Sequence, residues 1–242
     1  YNASTAPEGE AKASVNRKEI FGYTWDTQVN YVKTFLEDHS INAMALMSVY
    51  STEAEEYKLT GNNVTPETLW YNLGSAADYS GVSSSYGKAT MLSYALRLNY
   101  TYKGKYLATL STRWDGSSKF QDGHRWGMFP SAALAWRISE ENFIKDNASW
   151  INNLKLRASY GVTGNNASVG NYDTMFLANK LYYSSFGKGY GPSVVNELLT
   201  WEKTNEFNIG LDFGFLNGRI SGTFDWYNRE SQDLLMDMKL LL

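Results

Sequence analysis

The 242-residue chain has no cysteine, only four prolines and two histidines. Without cysteine it can hold no disulfide framework, no thiolate metal site and no thiol nucleophile. His39 and His124 are far apart, and both fall in segments read as solvated connections. No paired-histidine spacing accompanies them, so no metal site is expected. Long apolar runs are also missing. INAMALMSV (41–49) is the longest, about half of the roughly 20 residues that a membrane-crossing helix needs. A helical membrane protein is excluded. A net charge of −3 with no block of lysine and arginine leaves no electrostatic footprint for a phosphate backbone, so nucleic acid is not an expected partner. The chain opens on Tyr1 without the charged and apolar regions of an export leader, so an N-terminus further upstream is expected.

Aromatic residues, in contrast, are abundant: 18 tyrosines and 8 tryptophans bring them to 15%. Many fall at alternate positions. In MLSYALRLNYTYKGKYLATLSTRWDG (91–116), Leu92, Tyr94, Leu96, Leu98, Tyr100 and Tyr102 share one parity, and Ser93, Ala95, Arg97, Asn99 and Thr101 the other. That is the period of a strand whose two faces meet different surroundings. After Lys103-Gly104-Lys105 the pattern resumes with Tyr106, Ala108, Leu110 and Trp114, which reads as a hairpin with a tight turn. The same period recurs at 21–31, 133–138, 154–163, 207–215 and 219–226. Residues 41–50 are apolar on both parities and form an ambiguous eighth candidate, so about eight strands are expected.

The connections are sorted by length. In order they run short (36–40), long (51–90), short (103–105), long (115–128), medium (139–152), long (163–205) and very short at Asn217-Gly218. In an antiparallel meander successive connections lie at opposite ends, so the short and medium ones gather at one end and the long ones at the other. Outer-membrane barrels sort their loops in this way. Asn217-Gly218 predicts a type I′ hairpin, and Ser139 followed by two glutamates predicts a capped helical turn. Several alternating runs approach the 9–11 residues of a tilted membrane strand. Arg97, Arg113, Arg157, Asp212 and Asp225 sit mid-strand on the polar parity, where a water-filled or plugged interior tolerates them. The fold class expected is all-β, an antiparallel meander of about eight long strands forming part of a transmembrane β-barrel.

Four stretches carry a resemblance: DGSSKFQDGHRWGMFPSAALAWRISEENF (115–143), NLKLRASYGVTGN (153–165), LTWEKTNEFNIGLDFGFLNGRI (199–220) and DWYNRESQDLL (225–235). In this order they resemble the C-terminal half of the barrel in SusC/RagA-like TonB-dependent outer-membrane transporters of Bacteroidota. The match is strongest over 88–236, and WYNLGSA (70–76) is similar too. The resemblance implies that 1–242 is a partial receptor barrel, with the plug domain, the TonB-contacting segment and the final strands absent. It also implies a bacterial outer-membrane location in contact with outer-membrane lipid, energisation by the TonB complex through the missing plug, and a SusD-like surface lipoprotein as lid. The cargo implied is a glycan oligosaccharide or a peptide.

No catalytic constellation, cofactor or metal site is expected. Asp115, Ser117 and Asp122 lack the spacing and closing glutamate of a calcium loop, and no GxSxG elbow is present. Substrate contact is sought in the long connections. Tyr182, Tyr183, Phe186 and Tyr190 lie among glycines in LYYSSFGKGYGPS, where exposed rings can stack on sugar faces. Arg125 and Trp126 open RWGMFP, for which an aromatic girdle at the lipid boundary is the competing reading. Two other functions fit the same alternation: a secreted carbohydrate-binding β-sandwich, and a passive porin or adhesin barrel.

Overall fold

The structure, a computed structural model, describes residues 12–64, 72–175, 178–183, 187–192 and 196–235. Its strands are β1 (Lys12–Phe35), β2 (His39–Asn62), β3 (Asp78–Tyr102), β4 (Tyr106–Ser117), β5 (Trp126–Arg137), β6 (Ile151–Asn165), β7 (Ala178–Tyr183), β8 (Gly187–Pro192), β9 (Glu202–Phe215) and β10 (Ile220–Gln232). Among the described residues there is one α-helix, α1 (Asn142–Asn147), which follows a 3-10 turn at Ile138–Glu140. Eight strands form one sheet in the order β1-β2-β3-β4-β5-β6-β9-β10, and β7 pairs with β8 in a separate hairpin. The expected all-β meander is what the chain forms. The strands are longer than the alternation indicates, reaching 24 residues in β1 and β2 and 25 in β3.

The chain divides into two compact units, 1–23 with 50–89 and 24–49 with 90–242. The first unit is tied by polar contacts. Lys88 pairs with Glu53 at 2.5 Å, the Asn16 amide donates to Glu56 at 2.9 Å, and the Tyr57 hydroxyl donates to Glu55 at 2.9 Å. Much of the segment read as the long connection 51–90 is strand, because backbone pairing needs no apolar side. The connection proper holds a short 3-10 turn at Leu73–Ser75, with Leu73 buried.

In the second unit, backbone register fixes which residues share a face. Leu98 lies opposite Leu110, and Leu110 opposite Ala132; Ala132 lies opposite Tyr160, and Leu156 opposite Leu211. This apolar face has no second layer among the described residues: Leu110 is 58% exposed and Leu134 64%. Burying one leucine is worth about 1.5–3 kcal/mol, so a face of this kind needs an apolar surrounding. The β-sandwich alternative requires a second sheet here and is set aside.

Tight turns close one end of this unit. Lys103 and Gly104 have φ of 51° and 65°, and the Lys105 N–H donates to the Tyr102 carbonyl at 2.9 Å. Asn217 and Gly218 have φ of 56° and 79°, and Arg219 N–H donates to the Leu216 carbonyl at 3.3 Å. Positive φ at both central residues is the mark of the expected type I′ turn. His39 is not a solvated turn residue. It begins β2, stacks on Phe35 with centroids 5.2 Å apart, and its Nδ1 shares a 2.7 Å hydrogen bond with the Tyr100 hydroxyl. Tyr102, Tyr106 and Trp136 continue this aromatic row across β3, β4 and β5, stacked at 6.2 and 6.3 Å.

Candidate functional site

The face opposite the apolar one carries paired charge. Arg157 on β6 donates to Asp212 on β9 through Nη2 at 2.8 Å and Nε at 3.0 Å. Its Nη2 also reaches Asp225 on β10 at 3.1 Å. Gly210 separates them, opposite Arg157 on one side and Asp225 on the other, and a Cβ there would lie 2.5 Å from Asp225 Oδ1. Nearer the long connections, Arg113 Nε holds Asp115 at 2.6 Å and Nη2 donates to Ser93 at 3.0 Å. Ser111 and Ser131 share a 2.6 Å hydrogen bond. Of the mid-strand charges noted in the sequence, Arg113, Arg157, Asp212 and Asp225 are thus paired along this face. Turned toward hydrocarbon at mid-depth, one arginine would cost roughly 2–4 kcal/mol.

At the end with long connections, the loops fold together. Phe120, Phe129, Val169 and Trp201 form a buried cluster, with Met91, Val162 and Leu199 packed against it. Val162, on the same parity of β6 as Leu156 and Tyr160, packs here. Polar contacts tie the loops: Trp201 Nε1 donates to the Arg125 carbonyl at 3.0 Å, and Asn166 Nδ2 to Ser117 Oγ at 3.0 Å. Thr174 Oγ1 donates to the Lys119 carbonyl at 2.8 Å. The segments 118–125, 166–175 and 199–201 are therefore one packed body.

Arg125 and Trp126, adjacent in sequence, do different work. The Arg125 guanidinium donates to the Phe120 carbonyl at 3.1 Å and pairs with Asp122 at 3.2 Å, holding its own loop in shape. Trp126 lies half exposed over Gly116, where a Cβ would come within 2.8 Å of the ring. It stacks on Tyr94 with centroids 6.1 Å apart. Tyr94 belongs to the apolar parity, so Trp126 sits at the margin of the apolar face. Tyr182 and Tyr190 are placed in backbone only, opposite Lys188 and Lys180 in the β7–β8 hairpin, and Tyr183 opposite Gly187. Phe186 lies outside the described residues. Arg125 and Trp126 themselves do not share one site.

A second polar knot lies at the tight-turn end. Glu141 accepts from the Tyr106 hydroxyl at 2.7 Å, from Lys105 at 2.9 Å and from the Trp136 indole at 3.1 Å. These bonds, that of Tyr106 foremost, lower its pKa from 4.5 to about 2. The expected helical turn is present as α1, but its N-cap is Glu141 and no side chain caps it. The Glu141 carboxylate is committed to the knot, and Ser139 is buried one turn earlier. Sequence reasoning missed this knot and the Phe120–Trp201 cluster, since both join residues some 30 to 80 positions apart.

Comparison with known proteins gives concordant results. A sequence model of the family described as "TonB dependent receptor-like, beta-barrel" matches residues 4–239. TonB-dependent receptor SusC of Bacteroides thetaiotaomicron is 47% identical over 159 residues, covering 62% of this chain and 16% of that protein. TonB-dependent receptor P39 of Formosa agariphila is 35% identical over 245 residues, covering 93% of this chain and 22% of its own length. Among solved structures, one titled "Structure of the RagAB peptide transporter" superposes with a TM-score of 0.84 at 26% identity, covering 94% of this chain and 25% of the other. The chain thus spans about a fifth of the length of the curated relatives it matches.

Proposed function

Since the chain belongs to the TonB dependent receptor-like β-barrel family, we propose that it forms part of the wall of an outer-membrane importer of the SusC/RagA type. In this reading the apolar face of Leu96, Leu110, Leu134 and Leu156 meets lipid, and the face of Arg113, Arg157 and Asp212 lines the interior. The aromatic row through Tyr102, Tyr106 and Trp136 marks one lipid boundary, and Tyr94 with Trp126 the other. Tyr94 and Tyr102 are eight residues apart on β3, about 27 Å along a strand, which a tilt reduces to near the height of an outer-membrane apolar band. The tight-turn end then faces the periplasm and the long connections face outward. Gated passage, and not chemistry, is the task.

The carrying observation is the single-layered apolar face bounded by two aromatic rows. Lipid is the partner it needs. Energisation by the TonB complex, a surface-lipoprotein lid over the long connections, and an oligosaccharide or peptide cargo belong to the same proposal and rest on the family relationship. Tyr182, Tyr183, Phe186 and Tyr190 remain the proposed outer contacts for cargo or lid. Unpaired backbone cannot face hydrocarbon, so β1 and β10, at the two ends of the sheet order, pair with further strands. The test is uptake of labelled oligosaccharides and peptides by cells carrying the full-length protein, with and without TonB. TonB-dependent uptake of either class supports the proposal; a soluble periplasmic protein with no uptake overturns it.

A further inference from the structure

A depression of about 520 Å³ opens beneath the loop cluster, lined by residues of β2 to β6. Two kinds of surface meet there. Met44, Leu46 and Met91 supply an apolar flank that runs up to Phe129 and Trp201, which explains why residues 41–50 are apolar on both parities. Arg97 and Arg113 supply the other side. In the β3–β4 register Arg97 lies opposite Ser111 and Arg113 opposite Ala95, so the two are diagonal neighbours, with Cβ atoms about 7–8 Å apart. Two guanidiniums at that spacing can close on one oxyanion.

Their partners differ. Arg113 is half occupied, by Asp115 and Ser93, and Asp115 is buried and spent on it. Arg157 and Arg229, on the same face, each hold a carboxylate. Arg97 is exposed and has no hydrogen-bond or ion-pair partner among the described residues. The depression therefore presents two guanidiniums against one carboxylate, beside thioether and aliphatic surface. Trp201 closes the far wall but is 3% exposed, so it offers no ring face to a neutral sugar.

We propose that this depression is a subsite for the carboxylate of an imported molecule, with Arg97 as the principal ligand, Arg113 as the second, and an apolar part of the molecule against Met44 and Leu46. The C-terminus of a short peptide and the acid group of a uronate oligosaccharide share this chemistry. The inference rests on the reading of the polar face as the importer interior. It is tested by titrating the full-length protein in detergent micelles with four probes: an apolar tripeptide, its C-terminal amide, a uronate trisaccharide and the neutral trisaccharide. The acid of at least one pair should bind about tenfold or more tightly than its neutral counterpart, and which acid does so identifies the source. Arg97→Gln should abolish that preference and Arg97→Lys should keep part of it, with both variants present in the outer membrane at normal levels. Equal binding of acid and neutral probes, binding of none, or an unchanged preference in Arg97→Gln overturns the subsite. Uptake measured in parallel separates the two failures: TonB-dependent uptake without acid preference removes only the subsite, whereas no uptake removes the importer reading as well.

Discussion

Arg157 reaches Asp225 across an intervening strand, with Nη2 3.1 Å from the carboxylate although β9 lies between β6 and β10. The contact exists because the residue between them is Gly210, and a Cβ there would meet Asp225 at 2.5 Å and the Arg157 guanidinium carbon at 2.7 Å. Gly210→Ala should therefore force these groups apart and destabilise the full-length protein by about 1–3 kcal/mol. Urea unfolding in micelles measures it. An unchanged midpoint would mean that the three strands do not share this ion pair.

The two faces should respond oppositely to charge. Leu110 is 58% exposed on the apolar face, and Leu110→Arg should cost roughly 2–4 kcal/mol of stability in lipid. Ala133 lies on the other face, between Thr109 and Ser159, and Ala133→Arg should have a much smaller effect. Folding titrations in lipid vesicles give both values, and equal penalties would contradict the assignment of faces.

The loop cluster depends on one ring. Trp201 packs against Phe120 and Phe129 with centroids 5.3 and 5.4 Å away. Trp201→Ala should cost about 3–5 kcal/mol locally and loosen 118–125 from 166–175. Limited trypsin digestion of the full-length protein should then cut faster at Lys119 and Arg125, with strands of the sheet still protected. Digestion at the wild-type rate would show that the loops hold without the ring.

Glu141 sets a pH dependence. Its pKa falls from 4.5 to about 2 on folding, so the ionised carboxylate stabilises the folded state fully above pH 4.5. That contribution is lost as pH falls from 4.5 through about 2. Glu141→Gln should flatten the thermal stability of the full-length protein over this interval. A decline identical to the wild type would place the titrating group elsewhere.

The legible parts of the fold are those whose signal is local. Alternation marks β3, β4, β6, β9 and β10, and glycine with a preceding lysine or asparagine marks the turns at Gly104 and Gly218. The outer parts of β2 and β3 carry runs such as Ser51-Thr52-Glu53 and Ser83-Ser84-Ser85, which have no apolar side and so no period to detect. His39 reads as a turn residue in the sequence because two of its partners, Tyr100 and Tyr102, are some 60 positions away. Of the candidate site, Arg125 and Trp126 are legible in the sequence as chemistry but not as geometry. Arg125 ends the packed loop body and Trp126 begins β5, so neighbours at a loop–strand junction serve different surroundings.

The clustering of three- and four-residue turns at one end of the second unit has a kinetic consequence. Closing a short chain segment loses little entropy, and closing the span from Asn165 to Glu202 loses more, so neighbouring strands zip together from the end of Gly104 and Gly218. The far rim, sealed by Trp201 against Phe120, is then the last part to become native, and defects in that seal show up late in assembly, after the sheet itself is formed.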